Sequence, residues 1–326
     1  MNAVAAFPPT SMLTQWAARA EDRTRKLERL YHAAQTQAWD GREVLDALLA
    51  KHGGIRLPLE KREAIARVFS IILWGELAAW NVSAELAERI VDPEAKLAAT
   101  GQAFDEARHF TVMRDYLLAL DIELPPLDPY SRAVLRDVLE TESIVFKLTG
   151  MQLLVENAAL SLFKMVARGG IEPVLTELVT YIEKDEARHV GLGVLYLPRL
   201  MATMTTYEAA KLQLFQARIY GLLFWNTILL RRDFELLGLD ANDATRQGLR
   251  LQIDIATQMG KFDRGRSGGA RGVYVEPELL RRTHDFSVDA FFPHPGDDVP
   301  PWHRRVLAVT ERFAKVGARF LERVDP

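Results

Sequence analysis

The pentad Asp105-Glu106-Ala107-Arg108-His109 returns as Asp185-Glu186-Ala187-Arg188-His189, 80 positions later. Each copy carries Glu-x-x-His, and a three-residue step on a helix places both side chains on one face. A further glutamate precedes each pair by 30 positions. Glu76 sits in the apolar run 68–80, and Glu156 in the apolar run 153–162. Side chains on two antiparallel helices meet only at equal depth from the turn that joins them. The midpoints fall at Val91-Asp92-Pro93 and at residue 171, after Gly169-Gly170 and before Pro173. Asp is a favoured N-cap, Pro a favoured first helical residue, and Gly a favoured helix terminator. At 1.5 Å per residue, about 15 residues put each ligand roughly 22 Å from its turn. The chain is therefore constrained to antiparallel helices that bring six polar side chains together deep in a bundle.

Taken singly, a Glu-x-x-His is an ordinary solvated helix face. A glutamate inside an apolar run is rarer, because an unpaired buried carboxylate is costly. Two such glutamates at matching distances from two copies of one motif point to a binuclear metal site. A duplication that kept its sequence and lost its metal is the milder alternative. The presence of all six ligand types argues against it.

Composition limits the remaining classes. With 326 residues, 48% of them hydrophobic, the chain can bury a large core. Net charge is -3, which gives no basic field for nucleic acid. There is no cysteine, so disulfides, thiolate metal sites and thiol nucleophiles are excluded. The first residues lack the charged start and long apolar stretch of a signal peptide. Residues 71–80 are interrupted by Glu76, and residues 220–230 are too few, so no membrane span is expected. The expected setting is cytoplasmic.

The expected fold is all-α, a single ferritin-like di-metal domain over 1–326. The four-helix core covers about 60–204, with N-terminal helices within 10–59 and C-terminal helices within 206–326 wrapping it. The core helices are expected at 60–91, 93–120, 130–168 with an irregularity near Gly150, and 172–204. The last is expected to be disturbed at Gly191-Leu192-Gly193 and kinked or broken at Pro198. Further helices are expected at 206–238, 242–259 and 302–323. The Gly- and Arg-rich segment 260–272 reads as a surface connector, with a lid or docking element as the alternative.

The ligand order Glu, Glu-x-x-His, Glu, Glu-x-x-His resembles the ferritin-like di-iron carboxylate superfamily. Within it, the doubled Asp-Glu-x-Arg-His looks like the hydroxylase subunit of soluble bacterial multicomponent monooxygenases. Ribonucleotide reductase small subunits and ferritin-like arylamine N-oxygenases share the broader pattern. The resemblance covers roughly residues 60–200. It implies Glu76, Glu106 and His109 on one iron and Glu156, Glu186 and His189 on the other, with some carboxylates bridging. A manganese–iron pair is an alternative to two irons, and O2 is the implied co-substrate. Asp105 and Asp185 are suited to accept the second N–H of a metal-bound histidine, each from the opposite motif, with Arg108 and Arg188 neutralising them.

The departures matter too. Four residues after His109, where reductase subunits carry their radical tyrosine, stands Met113; Tyr116 lies three further on. Leu160 replaces the threonine of the monooxygenase hydroxylases, and Ile182 the third histidine of the N-oxygenases. The chain is also shorter than the hydroxylase subunits. The function expected is an O2-activating oxygenase or oxidase acting on a small, largely apolar organic molecule by hydroxylation, N-oxygenation or desaturation. Iron oxidation and storage of the ferritin type, a reductase-like subunit without its tyrosine, and a metal-free helical interaction protein are the alternatives. Neighbours one turn from the ligands supply the expected pocket: Ile72, Ala79, Trp80, Phe110, Met113, Leu153 and Leu160, with Phe146 as a further wall. No flavin or iron–sulfur motif is present, so a separate electron-donor protein is expected; a homodimer is compatible with the pattern.

Overall fold

A computed structural model describes residues 22–263, 277–294 and 296–324. Among these residues the regular structure is helical and no strand occurs. In chain order the helices are α1 (Asp22–Thr36), α2 (Gly41–His52), α3 (Leu59–Arg89), α4 (Pro93–Leu118), α5 (Pro129–Glu140), α6 (Ile144–Leu148), a π-helical segment (Thr149–Val155), α7 (Glu156–Gly169) and α8 (Pro173–Met201). They are followed by α9 (Thr206–Leu229), α10 (Arg231–Leu237), α11 (Ala241–Asp263), α12 (Pro277–Phe291) and α13 (Pro301–Val324).

Both turns fall where the ligand spacing required. Asp92 caps α4 by accepting from the Ala95 amide at 3.3 Å, with Pro93 in the first turn. At the second turn Gly170 adopts left-handed backbone (φ 59°), which glycine does without a Cβ clash. Glu172 then caps α8 through the Val174 and Leu175 amides at 3.1 and 2.7 Å. The buried Tyr116 hydroxyl donates to the same carboxylate at 3.2 Å, tying α4 to this turn.

Helices α3, α4, α7 and α8 form the core bundle. Helices α1 and α2 cover its α4–α8 side. Helices α5, α9, α10 and α11 pack about α3 and α7 on the other. Residues between 60 and 70, such as Ile65, Val68 and Phe69, meet Tyr116, Leu117, Leu175 and Val179 in one apolar cluster. Val82, Leu86, Ala95 and Ala99 meet Met151, Leu154 and Leu192 in a second.

Several expectations are corrected. The stretch 130–168 is not one helix: it breaks at Thr141–Ser143, restarts with Ser143 as N-cap, and runs through the π segment into α7. Gly150 and Gly193 are close-packing positions. A Cβ on Gly150 would meet Val138 Cγ2 at 2.7 Å, and one on Gly193 would meet Leu153 Cδ2 at 2.9 Å. Gly193 therefore does not disturb α8. Pro198 does not end it either: α8 continues three residues beyond it to Met201. The expected helix 206–238 is two helices, and α12 was not anticipated. Of the segment 260–272, residues 260–263 close α11 and the rest lie outside the described residues. The expected N-terminal helical residues before 22 lie outside them as well. One further correction concerns α3, which is long and apolar enough to cross a membrane by length and composition alone. It is the helix that carries Glu76 into the core, and most of its apolar stretch is buried.

Candidate metal centre

Glu76 comes from α3, Glu106 and His109 from α4, Glu156 from the first turn of α7, and Glu186 and His189 from α8. All six are buried. They form two overlapping groups whose ligand atoms lie within 4.8 Å of one another. One is Glu76, Glu106, His109 and Glu186; the other is Glu106, Glu156, Glu186 and His189. Glu106 and Glu186 belong to both, as bridging carboxylates would. Glu76 and Glu156 each belong to one.

The histidines point the same edge inward. His109 Nδ1 lies 3.0 Å from Glu186 Oε1 and 3.4 Å from Glu76 Oε2. His189 Nδ1 lies 3.0 Å from both Glu106 Oε1 and Glu186 Oε2. Their outer nitrogens face the aspartates of the opposite motif. His109 Nε2–H donates to Asp185 at 3.0 Å, and His189 Nε2–H to Asp105 at 3.4 Å. Such a contact fixes the tautomer that leaves Nδ1 free for a metal. Arg108 reaches Asp105 at 2.6 Å and Asp185 at 2.8 Å; Arg188 reaches Asp105 at 2.9 Å and Asp185 at 2.5 Å. Two arginines thus balance two aspartates and leave the four inner carboxylates without a cation of their own apart from the histidines.

The electrostatics register that crowding. Burial, then the charge of Glu186, pushes the Glu76 and Glu156 carboxyls well above their ordinary range. Burial, the largest single influence, acts against charge on Glu106 and Glu186, but the adjacent His189 charge and the contacts from His109 together outweigh it, and Glu186 is held down to about 2. Burial works against charge on both imidazoles too. For His109 the hydrogen bond to Asp185 and the closeness of the Glu106 and Glu186 carboxylates prevail and raise its pKa well above the usual value; for His189 the charges of Glu106 and Glu186 lead the same effect.

The arrangement fits a metal pair. Glu106 Oε2, His109 Nδ1 and Glu186 Oε1 are buried and have no hydrogen-bond partner. Buried polar atoms left so cost on the order of 1–3 kcal/mol each, more when charged. These three are donor atoms of the six-residue cluster, and two divalent ions would offset its four carboxylates. Oxygen donors with imidazole suit iron or manganese.

Sequence reasoning missed three neighbours. Trp39, just before α2, donates its indole N–H to Asp185 at 2.8 Å and stacks near His109, with ring centroids 6.2 Å apart. Buried Gln102 donates to Glu106 at 2.9 Å and to Glu156 at 3.1 Å. Gln152, in the π segment, donates to Gln102 at 3.3 Å. Gln102 lies one turn before Glu106 on an otherwise small-residue face, a signal that could have found it. Trp39 is remote from every motif.

A cavity of about 460 Å³ reaches the cluster from the α3–α7 side. Glu76 and Glu156 form part of its wall, and most of the rest is apolar, including Val68, Leu154, Leu223 and Phe224. Among the described residues no lysine, arginine or histidine lines it. Of the pocket candidates read from sequence, Ile72 and Ala79 line this space. The others do not. Met113 is sealed in the core, and Trp80 is 39% exposed beside Phe110. Phe146 packs on Phe215, Leu153 on Gly193, and Leu160 faces a separate hollow beside Lys164 and Glu183. The physical reason is one-sidedness. Stepping one turn from every ligand samples all faces, whereas among the described residues α1 and α2 cover the histidine side and the large cavity lies on the Glu76–Glu156 side. That side is walled by α5, α9 and α11, which no motif marks.

No protein-family model matches the sequence, and comparison with curated proteins finds no match. Solved structures do share the fold. A Synechococcus protein described as having aldehyde deformylating oxidase activity matches with a TM-score of 0.53 at 17% identity, over 62% of this chain and 92% of that one. An R2-like ligand-binding oxidase without metal cofactor matches with a TM-score of 0.52 at 17% identity, over 74% and 96%. A variant of such an oxidase with a Mn/Fe cofactor gives 0.55 at 17% identity, over 74% and 93%. The architecture is therefore the ferritin-like helical bundle in which these oxidases are built.

Proposed function

We propose that the chain is a single-domain oxidase or oxygenase that uses a di-iron or manganese–iron centre and O2 to oxidise a small, largely apolar, uncharged organic molecule. Glu76, Glu106, His109 and Glu186 would hold one ion, and Glu106, Glu156, Glu186 and His189 the other. The chemistry such a pair supplies is reduction of O2 coupled to oxidation of a nearby C–H or N–H bond. The protein's own residues do the rest. Asp105 and Asp185 hold the two imidazoles in one tautomer. The apolar wall excludes water and positions substrate beside Glu76 and Glu156. With no cation on that wall among the described residues, a charged carboxylate substrate finds no partner among them, which supports a neutral one.

The observation that carries this reading is the cavity's contact with two of the six candidate ligands. A ferritin-type iron store needs no apolar space of this size. A separate electron-donor protein and a cytoplasmic setting complete the proposal. The test is single turnover of reduced, metal-loaded protein with O2 and a panel of neutral apolar substrates. Oxidised product at up to one per metal pair supports the reading. Metal oxidation without any organic product across the panel would favour the storage alternative.

A further inference from the structure

Helix α13 has two apolar faces, and only one is used by the fold. Leu307, Thr310, Ala314 and Ala318 are buried against the body, where α13 packs on α5 and α9. The outward face carries Trp302, Val306, Val309, Phe313, Val316 and Phe320, each between 41% and 67% exposed. Their steps of four and three residues keep them on a single line along the helix. Isolated exposed apolar residues are ordinary, but a continuous stripe marks an interaction surface.

Charge decides what covers it. Arg305, Arg312 and Arg319 recur every seven residues along one edge of the stripe, all exposed. The helix carries six basic and two acidic residues, net +4, in a chain of net -3. Its Glu311 is engaged by Lys315 at 2.7 Å and by Arg231 at 3.2 Å, away from that edge. A second copy of the chain, packed antiparallel about a twofold axis, would set the same arginine row against itself. An anionic surface would not. A helix with aromatic rings on one face and arginines flanking them suits the headgroup boundary of a bilayer, lying in its plane.

We propose that α13 is an interfacial docking element that seats the protein on anionic lipid. Trp302, Phe313 and Phe320 enter the acyl boundary, and Arg305, Arg312 and Arg319 pair with headgroup phosphates and carboxylates. The docking face lies behind α5 and α9, the same helices that wall the apolar cavity.

The experiment is sedimentation of the metal-loaded full chain with vesicles of phosphatidylcholine, alone or with a third of the lipid replaced by phosphatidylserine. The wild type is expected to pellet with the anionic vesicles and stay free of the neutral ones. At about fivefold per basic residue, R305Q/R312Q/R319Q is expected to lose about a hundredfold in partitioning. F313S/F320S is expected to lose binding with an unchanged melting temperature, since both rings are exposed. The proposal is overturned if the wild type ignores anionic vesicles, or if both variants bind as the wild type does. It is also overturned if ultracentrifugation shows a dimer that F313S/F320S converts to monomer, which would make the stripe a seam between copies.

Discussion

At the residue scale the site is organised by exchange between the two motifs. Each aspartate serves the histidine of the other copy, and each arginine bridges both aspartates. Neither copy is complete alone, so the pair behaves as one unit. Asp185→Asn is expected to weaken metal binding by about 10–100-fold, because the His109 tautomer is no longer enforced. Competition with a chelator of known affinity measures this, and an unchanged affinity would remove Asp185 from the role. Protons report the same network. Without metal, burial raises the Glu76 and Glu156 pKa values and the surrounding carboxylates raise those of both histidines, so each holds its proton to higher pH than a free group would. Metal binding must displace those protons, so affinity is expected to fall as pH falls. Calorimetry in buffers of different ionisation enthalpy should show net proton release on metal uptake; zero release would mean the ligands are already deprotonated.

At the element scale, three of the four core helices and both turns were legible, since ligand spacing and capping residues sit in the local sequence. What stayed hidden depends on contacts between distant segments. The break at Thr141–Ser143 follows from how α5 and α6 must turn, and Ser143 is only a weak local signal for it. The π segment, a common device at functional sites, re-aims the chain just before Glu156. It lies against Gly193, whose missing side chain gives Leu153 and Gln152 their room. In sequence Gly193 looks like a breaker; in the fold it is a spacer. Gly193→Leu is expected to destabilise the protein by about 1–3 kcal/mol through overpacking. Chemical denaturation of the metal-free protein reads this directly, and a neutral result would show that the π segment can yield.

At the scale of the whole molecule, the bundle is closed on one side and open on the other. Helices α1 and α2 seal the histidine side through Trp39, while α5, α9 and α11 leave the apolar space beside Glu76 and Glu156. That division was not legible in the motifs, which explains why, of the eight pocket residues expected, only Ile72 and Ala79 line the cavity. Ala79→Phe is expected to fill part of this space, leaving metal content near that of the wild type while substrate turnover falls at least tenfold. Loss of metal together with activity would instead mean that the cavity wall supports the centre itself. The most direct measurement is anomalous diffraction at the iron edge from crystals of metal-replete protein. Two peaks about 3.5–4 Å apart are expected, one among Glu76, Glu106, His109 and Glu186 and the other among Glu106, Glu156, Glu186 and His189. A lone peak, or peaks only at the exposed Asp240–Asp243–His294 cluster, would contradict a binuclear centre in the bundle.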